Sequence, residues 1–172
     1  MQPPYADPLT PRQLDEPVIP EPARRGEPGG PECGVCDGET EWTIWSDENW
    51  LLHHGLQTSL PGTVWLACRE HVDSFADLPP ERAAQFGTVA ARIDSALLTL
   101  PGVARTHLYR WGDGGAHFHV WFIPRPLGML QARGMMLPLW EDALPNADDD
   151  AIRVAMDRIS AALRACGPLP PG

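Results

Sequence analysis

The chain has 172 residues, 43% hydrophobic and 21% charged, enough to bury a core of single-domain size. Its formal net charge of -10 disfavours nonspecific binding of nucleic acid or of an anionic membrane. All 13 basic residues are Arg and none is Lys, which excludes Schiff-base and phosphate-loop lysine chemistry and leaves Arg, His, backbone N–H groups or a metal to hold any anion.

Residues 1–31 are rich in Pro, with charges of both signs and few large apolar side chains. Such a stretch offers little surface to offset its ordering entropy, so an extended arm is expected, flexible or lying along the domain or a partner chain. A single domain is expected over residues 32–172. Glu41–Ser46 and Asn49–His54 read as two strands joined by a tight turn at Asp47 and Glu48, and Thr63–Cys68 reads as a buried strand. Asp77-Leu78-Pro79-Pro80 marks a helix start with Asp77 as the cap. Phe86, Val89, Ala90, Ile93 and Leu97 then recur at helical spacing over 80–99. Arg105–Trp111 and Ala116–Ile123 form a hairpin around a Gly-rich loop. Residues 124–147 show little periodicity and are expected to be mostly irregular. Ile152, Met156, Ile159 and Leu163 mark a C-terminal helix over 148–165, with Asp148, Asp149 and Asp150 complementing its N-terminus. The order of elements is α+β, with an antiparallel sheet of about five strands, one main helix and a C-terminal helix.

No apolar run approaches the length of a membrane span and no signal peptide opens the chain, so a cytoplasmic protein is expected. The four Cys, at 33, 36, 68 and 166, are then no disulfide scaffold. Cys33-Gly34-Val35-Cys36 by itself fits a zinc half-site or a redox pair. It follows a Pro/Gly stretch and precedes Asp37-Gly38, the setting of a knuckle, which favours zinc. The remaining ligands would come from His53, His54, His71, His107, His117 and His119; Cys68 and Cys166 read as small buried apolar residues. On a strand, His117, His119 and Trp121 share one face, and Phe118, Val120 and Phe122 the other. Two imidazoles at i and i+2 can hold a metal or activate a phosphorus or acyl centre.

The C-x-x-C pair, the strand ending in Arg69-Glu70-His71-Val72, a helix, and then Gly112-Asp113-Gly114-Gly115-Ala116-His117-Phe118-His119-Val120-Trp121-Phe122-Ile123-Pro124-Arg125 together resemble the histidine triad (HIT) superfamily. The resemblance covers residues 33–126. It implies a HIT-like fold, commonly homodimeric, and nucleotide hydrolase or nucleotidyltransferase chemistry at a phosphate ester, anhydride or phosphoramidate. It implies that His119, the middle histidine, is the nucleophile. It also implies a structural zinc held by Cys33, Cys36, His71 and His117. Gly112 matches a family glycine, and Arg125 matches the family's Ile-Pro-Arg. Three positions depart from the pattern: Trp121 stands at the third motif place, Gly55 where a ribose-binding acid falls, and Gly114 where a phosphate-contacting serine falls. An indole N–H can donate one hydrogen bond but cannot move a proton near neutral pH.

Expected substrate contacts are therefore Gly112, Gly114, Gly115, Trp121 and Arg125, with backbone N–H groups of 112–116 cradling an anion. Trp121 could stack on a planar ring of a nucleotide-like ligand, or simply pack; most of the seven Trp are assigned to core or dimer contacts, and Trp121 alone has a clear case for lining the pocket. His53 and His54 are expected to face solvent, with one of them able to approach a pocket. The alternatives to an enzyme are a noncatalytic zinc-stabilised binding protein on the same scaffold, and a redox protein using Cys33 and Cys36.

Overall fold

Strand alternation sets the architecture. The computed structural model describes residues 3–5, 13, 15–55 and 57–169. Strands β1 (Thr43–Ser46), β2 (Trp50–His54), β3 (Val64–Cys68), β4 (Val103–Tyr109) and β5 (His119–Pro126) form one antiparallel sheet in the order β1-β2-β3-β5-β4. Three helices complete the fold: α1 (Pro80–Leu97), α2 (Met136–Ala143) and α3 (Asp149–Ala165). The α+β class and the five-stranded antiparallel sheet are as expected. Among the described residues no helix is long and apolar enough to cross a membrane.

One face of the sheet is the core. Trp50, Leu52, Val64, Leu66, Phe118, Val120 and Phe122 pack with Val89, Ile93 and Leu97 of α1 and Ile159 and Leu163 of α3. Burying each such side chain contributes roughly 1.5–3 kcal/mol. The opposite face carries a row of cross-strand partners, Thr43↔His53↔Trp65↔Trp121↔Tyr109, one from each strand. Directly paired residues point the same way, so three aromatic rings and an imidazole stand side by side. On this face Ala67 pairs with His119, a small neighbour beside the motif imidazole.

Four local expectations change. Residues 124–147 contain α2, whose Pro138 sits in the first turn, where a missing N–H costs nothing. β5 continues to Pro126, because β3 pairs only as far as Phe122 and the prolines lie where β5 has one neighbour. Asp77 does not cap α1; it accepts from the Ser74 N–H and hydroxyl, and Pro79 occupies the cap place. Cys166 is exposed at the end of α3, whereas Cys68 is buried. Asp148 caps α3 by accepting from the Ala151 N–H at 2.7 Å.

The arm is described in part. Residues 1–2, 6–12 and 14 lie outside the described residues, as does 170–172 of the domain assigned from sequence. Residues 24–31 fold into a compact strap against the Gly-rich loop: Gly26 N–H donates to the Pro31 carbonyl at 2.8 Å, and Ala116 N–H donates to the Arg25 carbonyl at 2.8 Å.

Candidate functional site

Cys33, Cys36, His71 and His117 converge, with their ligand atoms all within 4.8 Å of one another. The knuckle supplies the two thiols, and the turn after β3 supplies His71. His117 lies in a bend just ahead of β5, not in the strand itself, and is buried. Its Nε2–H donates to the Cys68 carbonyl at 2.7 Å. A carbonyl only accepts, so this bond fixes the tautomer and leaves Nδ1 bare. Nδ1 lies 3.2 Å from Cys33 Sγ and 3.7 Å from Cys36 Sγ, and His71 Nδ1 lies 3.0 Å from Cys36 Sγ. Tetrahedral zinc with ordinary Zn–S and Zn–N lengths would separate S from N by about 3.6 Å. The donor set and its oriented imidazole thus fit a candidate metal site. Desolvation and the adjacent Cys33 push the Cys36 thiol up to about 11, a cost that a bound cation would reverse.

His119 faces a separate space. Its Nδ1–H donates to the His117 carbonyl at 2.7 Å, which again fixes the tautomer and leaves Nε2 with a lone pair. Burial holds the imidazole below its ordinary value, opposed by that bond and reinforced by the Arg110 charge, so the ring is neutral near pH 7. His119 lines a cavity of about 230 Å³ together with His117, Gly114, Gly115, Trp65 and Trp121. The Trp65 ring meets it edge-on at 6.1 Å.

A larger cavity of about 680 Å³ adjoins this one, sharing Arg25, Gly34, Val35, Trp65 and Trp121. Trp42, Trp111, His53, His54 and Gly55 also line it. Contrary to the expected solvent-facing pair, His53 and His54 are both buried, because β2 is flanked by β1 and β3 and covered on both faces. His53 stacks on Trp65 with centroids 4.2 Å apart, and desolvation lowers it to about 4. Gly55 presents no side chain where the family pattern has its acid.

The structure brings His119, Gly114, Gly115 and Trp121 together at one cavity. It does not bring Gly112 or Arg125 there. The Gly112 carbonyl accepts from Arg24 at 2.7 Å. Arg125 is buried six residues along β5 from His119, roughly 20 Å at strand rise, and donates to the Pro126 carbonyl. Because the Ala116 N–H is taken by Arg25, the backbone cradle is confined to fewer N–H groups than 112–116 offers. Sequence reading missed Arg25, Trp42, Trp65 and Trp111 as cavity residues. For Trp65 a signal existed: it alternates with Val64, Leu66 and Cys68, which form the core face. Arg25 carries no such signal, since only tertiary contact carries the strap to the loop.

No protein-family model and no curated protein matches the chain. Solved structures do. A zinc-bound histidine triad family protein from Mycobacterium smegmatis is 21% identical, with 78% of this chain and 92% of that chain covered and a TM-score of 0.58. A histidine triad protein from Marinobacter aquaeolei is 15% identical, with 72% and 88% covered and a TM-score of 0.59. A uridylyltransferase mutant is 18% identical, with 78% and 48% covered and a TM-score of 0.55. The chain has the histidine triad fold.

Proposed function

We propose that this chain transfers or hydrolyses a phosphoryl or nucleotidyl group, with His119 as nucleophile. The observation that carries the reading is the Nδ1–H bond from His119 to the His117 carbonyl, which leaves a neutral imidazole with its Nε2 lone pair available beside a cavity. Nε2 would attack phosphorus; an N–P bond forms as the bond to the leaving group breaks. Water or another acceptor then adds to phosphorus and restores the imidazole. The adjoining cavity, walled by indoles, suits a planar ring. Trp121 lines both spaces but cannot donate a proton to a departing group. Substrates whose leaving group needs no proton, such as a phosphoric anhydride, should therefore outrun phosphoramidates.

Cys33, Cys36, His71 and His117 would hold a zinc ion. Four protein ligands close the site, so the ion supplies a brace rather than a reactive water. That brace and the Cys68 carbonyl together fix His117, whose own carbonyl orients His119.

The test is intact-mass screening of the purified protein against nucleotides, their anhydrides and phosphoramidates. A covalent adduct that is absent in His119→Ala supports the reading; turnover retained in that variant rejects it. A noncatalytic ligand-binding protein is the second reading, favoured by Trp121 and by Gly55 on the cavity wall. Bound nucleotide with no adduct at any pH would select it. A homodimer belongs to this proposal too: β4 is an edge strand, and Leu108 and Trp111 are exposed on or beside it. Sedimentation would test it.

A further inference from the structure

Two neighbouring arginines leave the strap in different states. Arg24 is spent on structure. Its guanidinium donates to the carboxylates of Glu27 and Asp73 and to the Gly112 carbonyl, tying the strap to the loop. Arg25 commits its backbone instead. Its carbonyl accepts from the Ala116 N–H, and the residue bridges to Gly115 in parallel. Its exposed guanidinium makes one bond, from Nη1 to the Glu32 carbonyl at 2.9 Å. No carboxylate among the described residues pairs with it. A guanidinium has five N–H donors in a fork that matches two phosphate oxygens, so most of this one is unspent.

Its position gives that charge a use. Arg25 lines both the cavity that holds His119 and the larger one beside it, and it is the arginine common to both. With no Lys in the chain, few other groups could serve. Arg110 is held by Asp73 and lies over the Phe118 ring, and Arg125 is far along β5. The strap's turn holds Arg25 beside the Gly-rich loop. Gly26 adopts φ +88°, and a side chain on Gly30 would collide with the Arg24 carbonyl oxygen, so the turn favours glycine at both places.

We infer that Arg25 is an anion-binding residue, holding the phosphoryl oxygens of a phosphate ester or anhydride between the strap and the Gly114-Gly115 loop. This rests on the phosphoryl reading of the His119 site and deepens it: the charge that the sheet does not provide arrives from the N-terminal strap, in register because Arg24 grips Asp73.

The full-length protein would be titrated with inorganic phosphate, following the fluorescence of the cavity indoles. Arg25→Gln is expected to raise the dissociation constant at least tenfold, and Arg25→Lys to recover part of the loss, with metal content and melting temperature unchanged in both. Asp73→Asn, which loosens the strap without touching Arg25, should raise it by a smaller factor. Absence of saturable phosphate binding in the native protein, or Arg25→Gln binding as the native protein does, overturns the inference. Asp73→Asn binding as the native protein does overturns the part assigned to the tie. The catalytic reading is scored separately. Phosphate affinity lost in Arg25→Gln, with no His119 adduct on any nucleotide, defeats the enzyme and keeps Arg25; an adduct forming at the native rate in Arg25→Gln does the reverse.

Discussion

The Cys/His knuckle and the indole-lined cavity lie side by side, yet opposite kinds of contact hold them. At the knuckle four side chains from three separate stretches point inward, and each is specified by its donor atom. At the cavity the walls are placed by cross-strand pairing, and their identities are set by size and shape: Trp65 beside Trp121, His53 stacked on Trp65. The knuckle is built like a rivet, with four donor atoms converging on one point. The cavity is a surface that can vary while the fold persists. The difference teaches that His119 belongs to both, since the knuckle's His117 carbonyl aims it and the cavity's indoles surround it.

The largest effect should come from breaking the rivet. Cys33→Ser or Cys36→Ser, or a strong chelator, is expected to empty the site and destabilise the fold by roughly 5 kcal/mol or more. Elemental analysis with thermal melts would read this, and a variant that melts like the native protein would end the distinction. His119→Ala should split the two regions most cleanly. Turnover should fall at least about a thousandfold while metal content and melting stay unchanged.

A third test sits on the cavity side. Burial lowers His53 from its ordinary 6.5 to about 4, with Arg69 adding to the shift and Glu39 opposing it. A lowered folded-state value means that the unfolded chain takes up the proton first. The neutral ring's contribution is complete above pH 6.5 and is lost as pH falls through about 4. It amounts to at most about 3 kcal/mol. His53→Phe should therefore flatten the acid limb of the stability profile between those values; an unchanged limb would remove His53 as its source. The smallest effect is expected at the seam. Gly26→Ala forces a side chain into φ +88° with its Cβ 3.0 Å from His71 Cε1. That should cost about 1–2 kcal/mol, weaken metal affinity about tenfold in chelator competition, and weaken phosphate binding by a smaller factor than Arg25→Gln does, because the turn that carries Arg25 is strained.

Much of the fold was legible because strands and amphipathic helices write their period into the chain. Val64, Leu66 and Cys68 alternate, and Val89, Ile93 and Leu97 repeat at helical spacing. α2 was not legible because Pro138 looks like a breaker unless its place in the first turn is known. The thiol pair was legible as a C-x-x-C, whereas His71 and His117 were named through the resemblance to a known family, since spacing alone left six histidines open. His53 and His54 were misplaced because burial of a β2 end depends on what lies beside it, which no local pattern records.

By itself the sequence determined the α+β order, the two faces of the motif strand, the absence of any lysine and the thiol pair, each a matter of local period or composition. Only the tertiary structure decided which indoles wall the cavity and which arginine reaches it. Those depend on sheet order and on a strap docked across some ninety residues of sequence, on the scale of the 88-residue separation between Arg24 and Gly112. Contacts of that reach are selected by packing and hydrogen bonding in the folded chain, not by neighbours along it.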